Sequence, residues 1–565
     1  MLRYLSASVL LYPCVAGAVT VTGTVTDGST PLQGILACGA KVDEQTRELL
    51  GQSPVDCAVT DVDGSFEVDT IVFIDMEDNL FGRVVVSAPG FMTIQGNVPM
   101  LEEGEEAVQV DVAEFLLEPL DTDNPSYIWW QAEDCGACHV EIHSQWAGSR
   151  HAGAATNAKV LQLYLGTDAQ GNVDVAPGYK LEHDDAGPCG GCHAATASWT
   201  AGASVDLNDV RGVHRSGVFC ETCHKIRAVE PNGEPGIDGS ITMWRPSGDL
   251  AGGAGASFPF AFGPYADVFA YPMATSYSPL HKTAELCAGC HEYTNRLGVS
   301  VMDTYTSWKS ISSTADALQC QDCHMMPRLN PEAVDPMEWV VDGHARMMYG
   351  VRRDPETVYP HSFFGGEDLM PYACSMEVDA FQEGNELVVK ISVVNDGAGH
   401  SIPTGMPFRE IILLAHAQEV GGDVVLEQID GPTIPERGGD LAGRPGALFA
   451  MTLGDAAGNV SYAFWDATQV LDDTRLQPGQ PYEAELRFEI PSDLFVVVQT
   501  KLIYRRFAQG LARSKGWETT DLYAVGHDVV REVKYAGCGC RGSQGGTVFL
   551  ALGFVGLLAQ RRRRA

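Results

Sequence analysis

Five short segments of the sequence repeat one pattern of two cysteines and a histidine. In each segment the cysteines are three positions apart, and the histidine directly follows the second cysteine. The copies are Cys135-Gly-Ala-Cys138-His139, Cys189-Gly-Gly-Cys192-His193, Cys220-Glu-Thr-Cys223-His224, Cys287-Ala-Gly-Cys290-His291 and Cys320-Gln-Asp-Cys323-His324. A chain of this cysteine and histidine content would contain about 0.01 such copies by chance. The repetition therefore indicates a shared chemical role.

The pattern C-x-x-C-H is the attachment pattern of c-type haem. Two thiols at this spacing reach the two vinyl groups of one porphyrin, and the adjacent histidine meets the iron from one face. Zinc ribbons and redox dithiols also use paired cysteines, but neither requires a histidine after every second cysteine. We therefore expect five covalently attached c-type haems, bound by the ten motif cysteines, with the five motif histidines as iron ligands.

The second axial ligand of each iron decides between electron transfer and catalysis, because a second strong ligand closes the iron to substrates. Ten histidines lie outside the motifs, and five of them could serve as second ligands. Methionine is the rival ligand. Met325 and Met326 lie too close to Cys323 to cross their own porphyrin, so ligation by two histidines is favoured.

Segments around the motifs resemble the cytochrome c-554 family of multihaem cytochromes. They are Cys135-Gly-Ala-Cys138-His139 followed by Trp146 and Ser149-Arg-His151, Leu280-His281-Lys-Thr-Ala-Glu-Leu-Cys287, and Gln319-Cys320-Gln-Asp-Cys323-His-Met. The resemblance spans about residues 125–410 and implies that His151 and His281 are distal ligands. This chain departs from the four-haem pattern of that family by carrying five motifs.

Three further histidines complete the predicted distal set. His214 lies six residues before the third motif, which is the offset that His281 has from the fourth motif. His361, in His-Ser-Phe-Phe-Gly-Gly, and His400, in Gly-Ala-Gly-His-Ser-Ile-Pro-Thr-Gly, resemble segments of related multihaem proteins, and His344 is held in reserve. The predicted distal ligands are His151, His214, His281, His361 and His400.

The length and the net charge of the chain limit the number of domains and the classes of partner. The 565 residues suffice for three or four domains, and a hydrophobic content of 45% suffices for packed cores. The formal net charge of −37 repels nucleic acid, which excludes nucleic-acid binding. We expect basic redox proteins as partners, because an acidic surface attracts them.

The first 18 residues predict a signal peptide. Arg3 precedes an apolar run, and the small residues Ala16 and Ala18 occupy the positions that a signal peptidase reads. Export agrees with c-type haem and permits disulfides, for which Cys38 and Cys57 are a plausible pair. We therefore expect an exported protein.

Residues 19–120 alternate in the manner of strands and predict a small β-sandwich. The segments Gly23-Thr-Val-Thr-Asp, Thr60-Asp-Val-Asp-Gly-Ser-Phe and Ser87-Ala-Pro-Gly-Phe91 resemble the carboxypeptidase regulatory-like domain. This resemblance implies an accessory domain without catalytic residues.

The rest of the chain predicts two further domains. Residues 121–372 predict a mainly helical and irregular pentahaem cytochrome domain, because apolar periodicity is weak there and seven of the nine tryptophans fall within it. Residues 373–535 return to strand patterns and predict a C-terminal β-sandwich. The expected fold class is multidomain, with the haem domain between two β-sandwiches.

Residues 536–565 form a distinct tail. It contains Cys538-Gly-Cys540-Arg, an apolar run over residues 548–559 and the block Arg561 to Arg564. An apolar run this short is well below the roughly 20 residues of a stable span. The tail resembles the MYXO-CTERM sorting tails, which implies processing near the cysteines and anchoring at the periplasmic or outer cell surface. An uncleaved weak membrane anchor is the alternative.

Two functions fit these features. The first is an exported carrier that moves electrons through closely packed, mostly bis-histidine haems. The second is a multihaem oxidoreductase that acts on a small nitrogen or sulfur compound at one open haem. No C-x-x-C-Lys motif occurs, so the lysine-ligated haem of pentahaem nitrite reductase is absent. The supply of histidines for second ligands favours the carrier over the enzyme.

Overall fold

The computed structural model describes residues 18–42, 49–74, 80–99, 113–121, 123–231, 236–256, 259–268, 273–311, 318–326, 351–353 and 358–535. Three predictions fall outside the described residues: the signal peptide before residue 18, the tail at 536–565 and the reserve ligand His344. Within the described part, β-rich regions at both ends of the chain flank a middle region of short helices. This order agrees with the predicted multidomain layout.

The N-terminal region consists of strands. Among the described residues these are β1 (Ala18–Thr26), β2 (Leu36–Gly39), β3 (Lys41–Val42), β4 (Leu49–Leu50), β5 (Ala58–Val59), β6 (Ser65–Ile74), β7 (Leu80–Ser87), β8 (Ile94–Pro99) and β9 (Ala113–Leu116). One sheet has the order β5-β2-β7-β6-β1-β9, with β8 also paired to β7. Strand β6 pairs first with β1 and then with β7, and the sheet surrounds a core that includes Val21, Val84 and Phe115. A disulfide joins Cys38 to Cys57, which confirms the predicted pair.

The middle region consists of short elements separated by long loops. Its described α-helices are α1 (Ala132–Gly136), α2 (Val140–Ala147), α3 (Ala158–Leu165), α4 (Tyr179–Glu182), α5 (Cys189–His193), α6 (Ala195–Ala201), α7 (Cys220–Cys223), α8 (Glu285–His291), α9 (Thr304–Ile311), α10 (Cys320–His324) and α11 (Gly366–Ala373). Its described strands are β10 (Ile226–Val229), β11 (Ile241–Met243), β12 (Phe260–Gly263), β13 (Ala274–Tyr277), β14 (Glu292–Thr294), β15 (Ser300–Asp303) and β16 (Val351–Arg352). Strand β16 adds to β4 of the N-terminal region, whereas the other strands pair two by two.

Short 3₁₀ helices occur in all three regions. Those described are Pro54–Asp56, Ala154–Thr156, Leu207–Asp209, Gly212–Ser216, Gly236–Asp238, Gly248–Leu250, Gly253–Gly255, Pro279–Lys282, Glu436–Leu441 and Phe464–Asp466. Across the described residues, none of the helices has the length and apolar content needed to cross a bilayer.

The C-terminal region is a β-sandwich. Its described strands are β17 (Ser375–Glu383), β18 (Glu386–Val394), β19 (Glu410–Glu419), β20 (Gln428–Asp430), β21 (Gly446–Phe449), β22 (Met451–Gly454), β23 (Gln469–Asp473), β24 (Pro481–Glu489), β25 (Leu494–Arg505) and β26 (Asp521–Val533), with helix α12 (Gln509–Lys515) before the last strand. Sheets β17-β18-β24-β20 and β21-β19-β25-β26 enclose one core, in which Leu387, Ile411, Leu486 and Val496 are fully buried. Alternate side chains of each strand point inward, which explains the strand pattern of this segment.

Polar contacts join both β regions to the middle region. Asp267 of the middle region accepts hydrogen bonds from the backbone N–H of Gln52 (2.7 Å) and from Arg353 (2.6 Å). On the other side, Arg475 of the sandwich donates to both carboxylate oxygens of Asp303, at 2.6 and 2.7 Å. Charge-assisted bonds of this kind hold planar groups in fixed orientations. The two β regions are therefore fixed against the middle region, one on each side of it.

Candidate functional site

Each C-x-x-C-H motif occupies or adjoins a short helix. Helices α5, α7, α8 and α10 contain the cysteines of their motifs, and α1 ends at Gly136, inside the first motif. Helical positions three apart lie on one face. Both cysteines of a motif therefore point to one side, which is the arrangement that two thioether bonds to one porphyrin require.

One large cavity of about 1390 Å³ passes between the motifs. Ordinary small-molecule pockets have volumes of about 300–1,000 Å³. Lys41 and Val85 of the N-terminal region and Thr404 and Arg506 of the C-terminal region also reach the cavity wall. The motif residues that line the cavity are Cys135, Cys138, His139, Cys192, His193, Cys220, Cys223, His224, Cys287, Cys290, His291, Cys320, Cys323 and His324. The cavity thus collects residues from all five motifs, whereas Cys189 of the second motif packs in a neighbouring apolar cluster.

Three motif histidines are oriented by backbone carbonyl groups. In each case the Nδ1 nitrogen lies within hydrogen-bond distance of a carbonyl oxygen: His193 with Ala154 (3.2 Å), His224 with Phe262 (2.6 Å) and His324 with Phe364 (2.7 Å). Such a bond assigns the proton to Nδ1 and makes Nε2 the metal-binding nitrogen. This second contact fixes the ring orientation, as histidine ligands require.

Three motif histidines face a second histidine ring at nearly the same spacing. Two imidazoles on opposite sides of one metal, each about 2 Å from it, place their ring centres about 6 Å apart. The pairs observed are His291 with His151 (6.3 Å), His224 with His361 (6.2 Å) and His324 with His400 (6.2 Å). The spacing fits an axial ligand pair in each case.

The two remaining predicted distal ligands do not face a motif histidine at this spacing. His281 lines the cavity, but its ring centre is only 5.4 Å from His224, and its Nε2 lies 3.1 Å from the carbonyl of Cys223. His214 is not among the cavity-lining residues; its Nδ1 lies 2.8 Å from the Thr196 hydroxyl. Ligation by His281 and by His214 stays a prediction.

Burial keeps the facing histidines neutral. Loss of solvent lowers the pKa of His151 and of His400 to about 4, and it lowers the pKa of His291 to about 3. A neutral imidazole retains the lone pair that binds a metal, and a protonated one does not. These rings are therefore in the ligand form at neutral pH.

Cysteine side chains of different motifs contact one another. The thiols of Cys220, Cys320 and Cys192 lie near enough to raise the pKa of Cys135, Cys287 and Cys290, respectively. The fourth motif thus contacts both the second and the fifth motif, and the first motif contacts the third. Haems attached to these sulfurs would therefore have neighbouring attachment points.

Sequence reasoning missed a buried ion pair in the third motif. Lys225 is fully buried and donates to Glu221 at 2.5 Å. Glu221 also accepts from the Tyr127 hydroxyl and from the backbone N–H of Trp130, both at 2.6 Å. The pair thereby connects the third motif to the chain before the first. Charged residues one helical turn apart usually indicate a solvated face, so spacing alone did not reveal this contact.

Sequence reasoning also missed Met273. The Nε2 nitrogen of His139 lies 3.4 Å from the Met273 sulfur, and Met273 lines the cavity. The sequence offers Met325 and Met326 as methionine candidates because they follow a motif directly. Met273 has no fixed distance to any motif, so the contact depends on the tertiary fold.

Two comparisons with known proteins found a match to this chain. Residues 134–225 match the family Cytochrome c554 and c-prime. The fold is similar to the crystal structure of a penta-heme cytochrome c552 from Thermochromatium tepidum, with 20% sequence identity and a TM-score of 0.50; the match covers 72% of this chain and 100% of that chain. No curated protein matches the chain. The family match and the similar fold support a multihaem cytochrome c with covalently bound haem.

Proposed function

We propose that this protein is an exported electron carrier with a c-type haem on each of its five motifs. Bound haem would supply one-electron chemistry at iron, and the chain supplies ligation, spacing and shielding. The observation that carries the proposal is the set of three histidine pairs at axial spacing, because two strong ligands leave no position for a substrate. The distal ligands that this geometry supports are His151, His361 and His400.

The contacts between motifs support close packing of the attached groups. The fourth motif touches two other motifs through Cys287 and Cys290, and the first touches the third through Cys135. A carrier requires such proximity, whereas a storage or structural protein does not. All five motifs therefore belong to one electron-carrying unit in this proposal.

Haem counting and electron paramagnetic resonance of the oxidised full-length protein test the proposal. We expect five haems per chain by pyridine haemochrome quantitation, with most irons low-spin. His400→Ala should convert one low-spin iron to high-spin. His416→Ala is the matched control, because His416 lies in β19 and contacts Gln418 (3.1 Å). Fewer than four haems, or an unchanged spectrum of His400→Ala, contradicts the proposed ligation.

We also propose that the partner is a basic redox protein. The net charge of −37 creates an attractive field for such a protein before contact. The Debye length, over which salt screens charges, is about 8 Å at 0.15 M ionic strength. Stopped-flow reduction by a basic carrier should therefore slow steeply as salt rises. A rate that does not depend on salt would contradict electrostatic steering.

The proposal includes export and anchoring through the tail. Support comes from the leader-like first 18 residues and from the resemblance of residues 536–565 to sorting tails. Intact mass measurement of protein from the cell surface tests both points. We expect loss of the leader and of Arg561 to Arg564. Retention of the arginine block would favour the uncleaved anchor instead.

One observation favours the oxidoreductase alternative at the second motif. Among the described residues, His193 has no histidine ring facing it at axial spacing, unlike three other motif histidines. Beside Cys189 lies Tyr179, whose phenol donates to Asp185 and is kept protonated because burial raises its pKa. A proton donor near an open iron is what such an enzyme requires.

Ligand addition separates the carrier from this alternative. Nitrite or hydroxylamine should leave the spectrum of the oxidised carrier unchanged. A high-spin signal that shifts on addition of either compound would assign the function to the oxidoreductase. Loss of that shift in Tyr179→Phe, with an unchanged haem count, would place the reaction at the second motif.

A further inference from the structure

The cavity wall is richer in positive charge than the chain as a whole. The chain has 74 Asp and Glu residues against 37 Lys and Arg residues. The cavity lining reverses this balance, with six Lys and Arg residues against four Asp and Glu residues. The six basic residues are Lys41, Arg83, Arg150, Arg353, Arg409 and Arg506. A strongly acidic protein thus presents an excess of cations to its interior space.

Two sites on this wall already pair their arginines with carboxylates. Arg353 forms an ion pair with Asp267 at 2.6 Å. Arg150 and Arg506 share the carboxylate of Glu367. The positive charge at these two sites is therefore at least partly compensated by the chain itself.

Arg409 is held differently. Its Nη1 nitrogen donates to the Thr404 carbonyl at 2.8 Å, whereas its Nε nitrogen is buried and has no hydrogen-bond partner among the described residues. The neighbouring carboxylate of Glu410 bonds to Arg437 at 2.9 Å instead. A guanidinium stays protonated, and a buried cation without a counter-ion costs free energy. The side chain is therefore suited to an anion that occupies the cavity.

A tight turn holds this guanidinium at the cavity wall. Arg409 directly precedes β19, and its backbone N–H donates to the Met406 carbonyl at 3.1 Å. Gly405 has a φ of +78°, and a Cβ atom at that position would lie 2.8 Å from Nη1 of Arg409. Glycine thus suits the turn and leaves room for the guanidinium beside it.

The fourth motif lies close to this turn. The Thr404 hydroxyl is 2.8 Å from the hydroxyl of Thr304, the first residue of α9. The same helix donates two hydrogen bonds to Glu292, which directly follows the motif. The charge of Arg409 also contributes to the lowered pKa of His291, after burial and the neighbouring imidazoles. Contacts and charge both connect Arg409 with the fourth motif.

The surroundings of the fifth motif provide a contrast. The arginine whose charge acts on its facing histidine, His400, is Arg475. Arg475 donates to the carboxylates of Asp303 and Asp473, at 2.6 to 2.8 Å. Two carboxylates therefore compensate the cation near His400, whereas the described chain supplies none for Arg409.

We propose that Arg409 binds a propionate carboxylate of the haem attached to the fourth motif. This inference rests on the proposed function, because it requires that haem. Each haem carries two propionates, and a guanidinium binds a carboxylate through two parallel N–H···O bonds. Positive charge near the iron favours its reduced form. Arg409 therefore makes the fourth haem a better electron acceptor than it would be without this cation.

A redox titration that reports on the fourth haem alone tests this assignment. His151→Ala should make that iron high-spin, and electron paramagnetic resonance of the full-length haem protein then follows its midpoint potential. Adding Arg409→Gln should lower this potential at pH 8 without loss of haem. Arg409→Lys should retain most of it, because the charge is kept. Arg487→Gln is the control: it removes the same charge from β24, where Arg487 does not line the cavity, and should leave the potential unchanged.

The outcomes separate this inference from the proposed function. An unchanged potential in Arg409→Gln overturns the role of Arg409. A wild-type potential that follows added phosphate would indicate an exchangeable anion at Arg409 and would also overturn it. Missing haem, or His151→Ala without a high-spin signal, contradicts the proposed function instead. In the latter case Arg409→Gln alone should still lower one midpoint potential of the set.

Arg409→Lys keeps the test decisive if Arg409→Gln does not fold. A lysine side chain loses its charge near its usual pKa of about 10.4, whereas arginine stays charged. The potential of Arg409→Lys should therefore fall at alkaline pH by more than that of the parent protein. Equal behaviour of the two proteins at alkaline pH would overturn the assignment.

Discussion

The middle region and the C-terminal sandwich build their interiors in opposite ways. In the sandwich, Leu387, Ile391 and Leu486 have no exposed surface and form part of one continuous core of side chains. In the middle region, the apolar side chains form several small clusters around a cavity of about 1390 Å³. The sandwich contains its own core, whereas the middle region surrounds space that only another group can fill.

This difference indicates where each region obtains its stability. Close-packed interiors leave few voids larger than a water molecule, because lost contacts cost free energy. The middle region departs from that rule, so its stability must depend on what its cysteines hold. The sandwich should tolerate changes at the motifs, and the motifs should tolerate changes in the sandwich core.

The largest expected effect comes from removing the fourth motif. Cys287→Ser with Cys290→Ser should remove one haem and destabilise the middle region by more than any single core truncation. The reason is that this motif contacts two others and lines the cavity. Haem content and thermal unfolding followed by haem absorbance measure the effect. Cys374→Ala, in the sandwich, is the control and should keep the full haem count. Equal stability of the two variants would contradict the view that the middle region, unlike the sandwich, depends on its motif cysteines for stability.

The next effect comes from the buried ion pair. Lys225→Met should lower the free energy of unfolding by about 3–5 kcal/mol, because it leaves the Glu221 carboxylate buried without its cation. The double variant with Glu221→Gln should recover part of that loss. Denaturant unfolding measures both variants. If Lys225→Met alone were neutral, the middle region would not depend on this polar contact.

A truncation in the sandwich should have a smaller, purely structural effect. Leu486→Ala should lower the free energy of unfolding by about 2–5 kcal/mol through lost burial and a residual cavity. Its haem spectrum should match the wild type. Val425→Ala, at an exposed position, should change stability by less than about 0.5 kcal/mol. A changed haem spectrum in Leu486→Ala would show that the two interiors are coupled.

The N-terminal disulfide extends the comparison to the third region. Cys38→Ala with Cys57→Ala should lower stability by about 2–4 kcal/mol, because the bond closes a loop with a sequence separation of 19. Thermal unfolding with and without reductant measures the loss. Reductant should have little effect on the double variant.

The sandwich and the middle region also differ in how much of their structure the sequence predicts. The apolar runs at Leu387 and at Ile411 lie in β18 and β19. The run at Ile411 is continuous because both faces of its strand are buried, with Ile411 in one core cluster and Ile412 in another. Resemblance to related multihaem proteins predicts distal ligands such as His400. Nothing in the sequence predicts the contact of Met273. Its partner His139 is 134 residues away along the chain, so only the fold brings the two together.

The cavity wall also imposes an order in time. Its first described contributors come from near Lys41, and its last is Arg506, close to the end of the sandwich. A chain is made from its N-terminus, and its early domains fold first. The enclosure therefore stays incomplete until nearly the whole chain has reached the compartment in which it folds. Attachment chemistry has access to the motif thiols throughout that interval, and completion of the final sheet ends it.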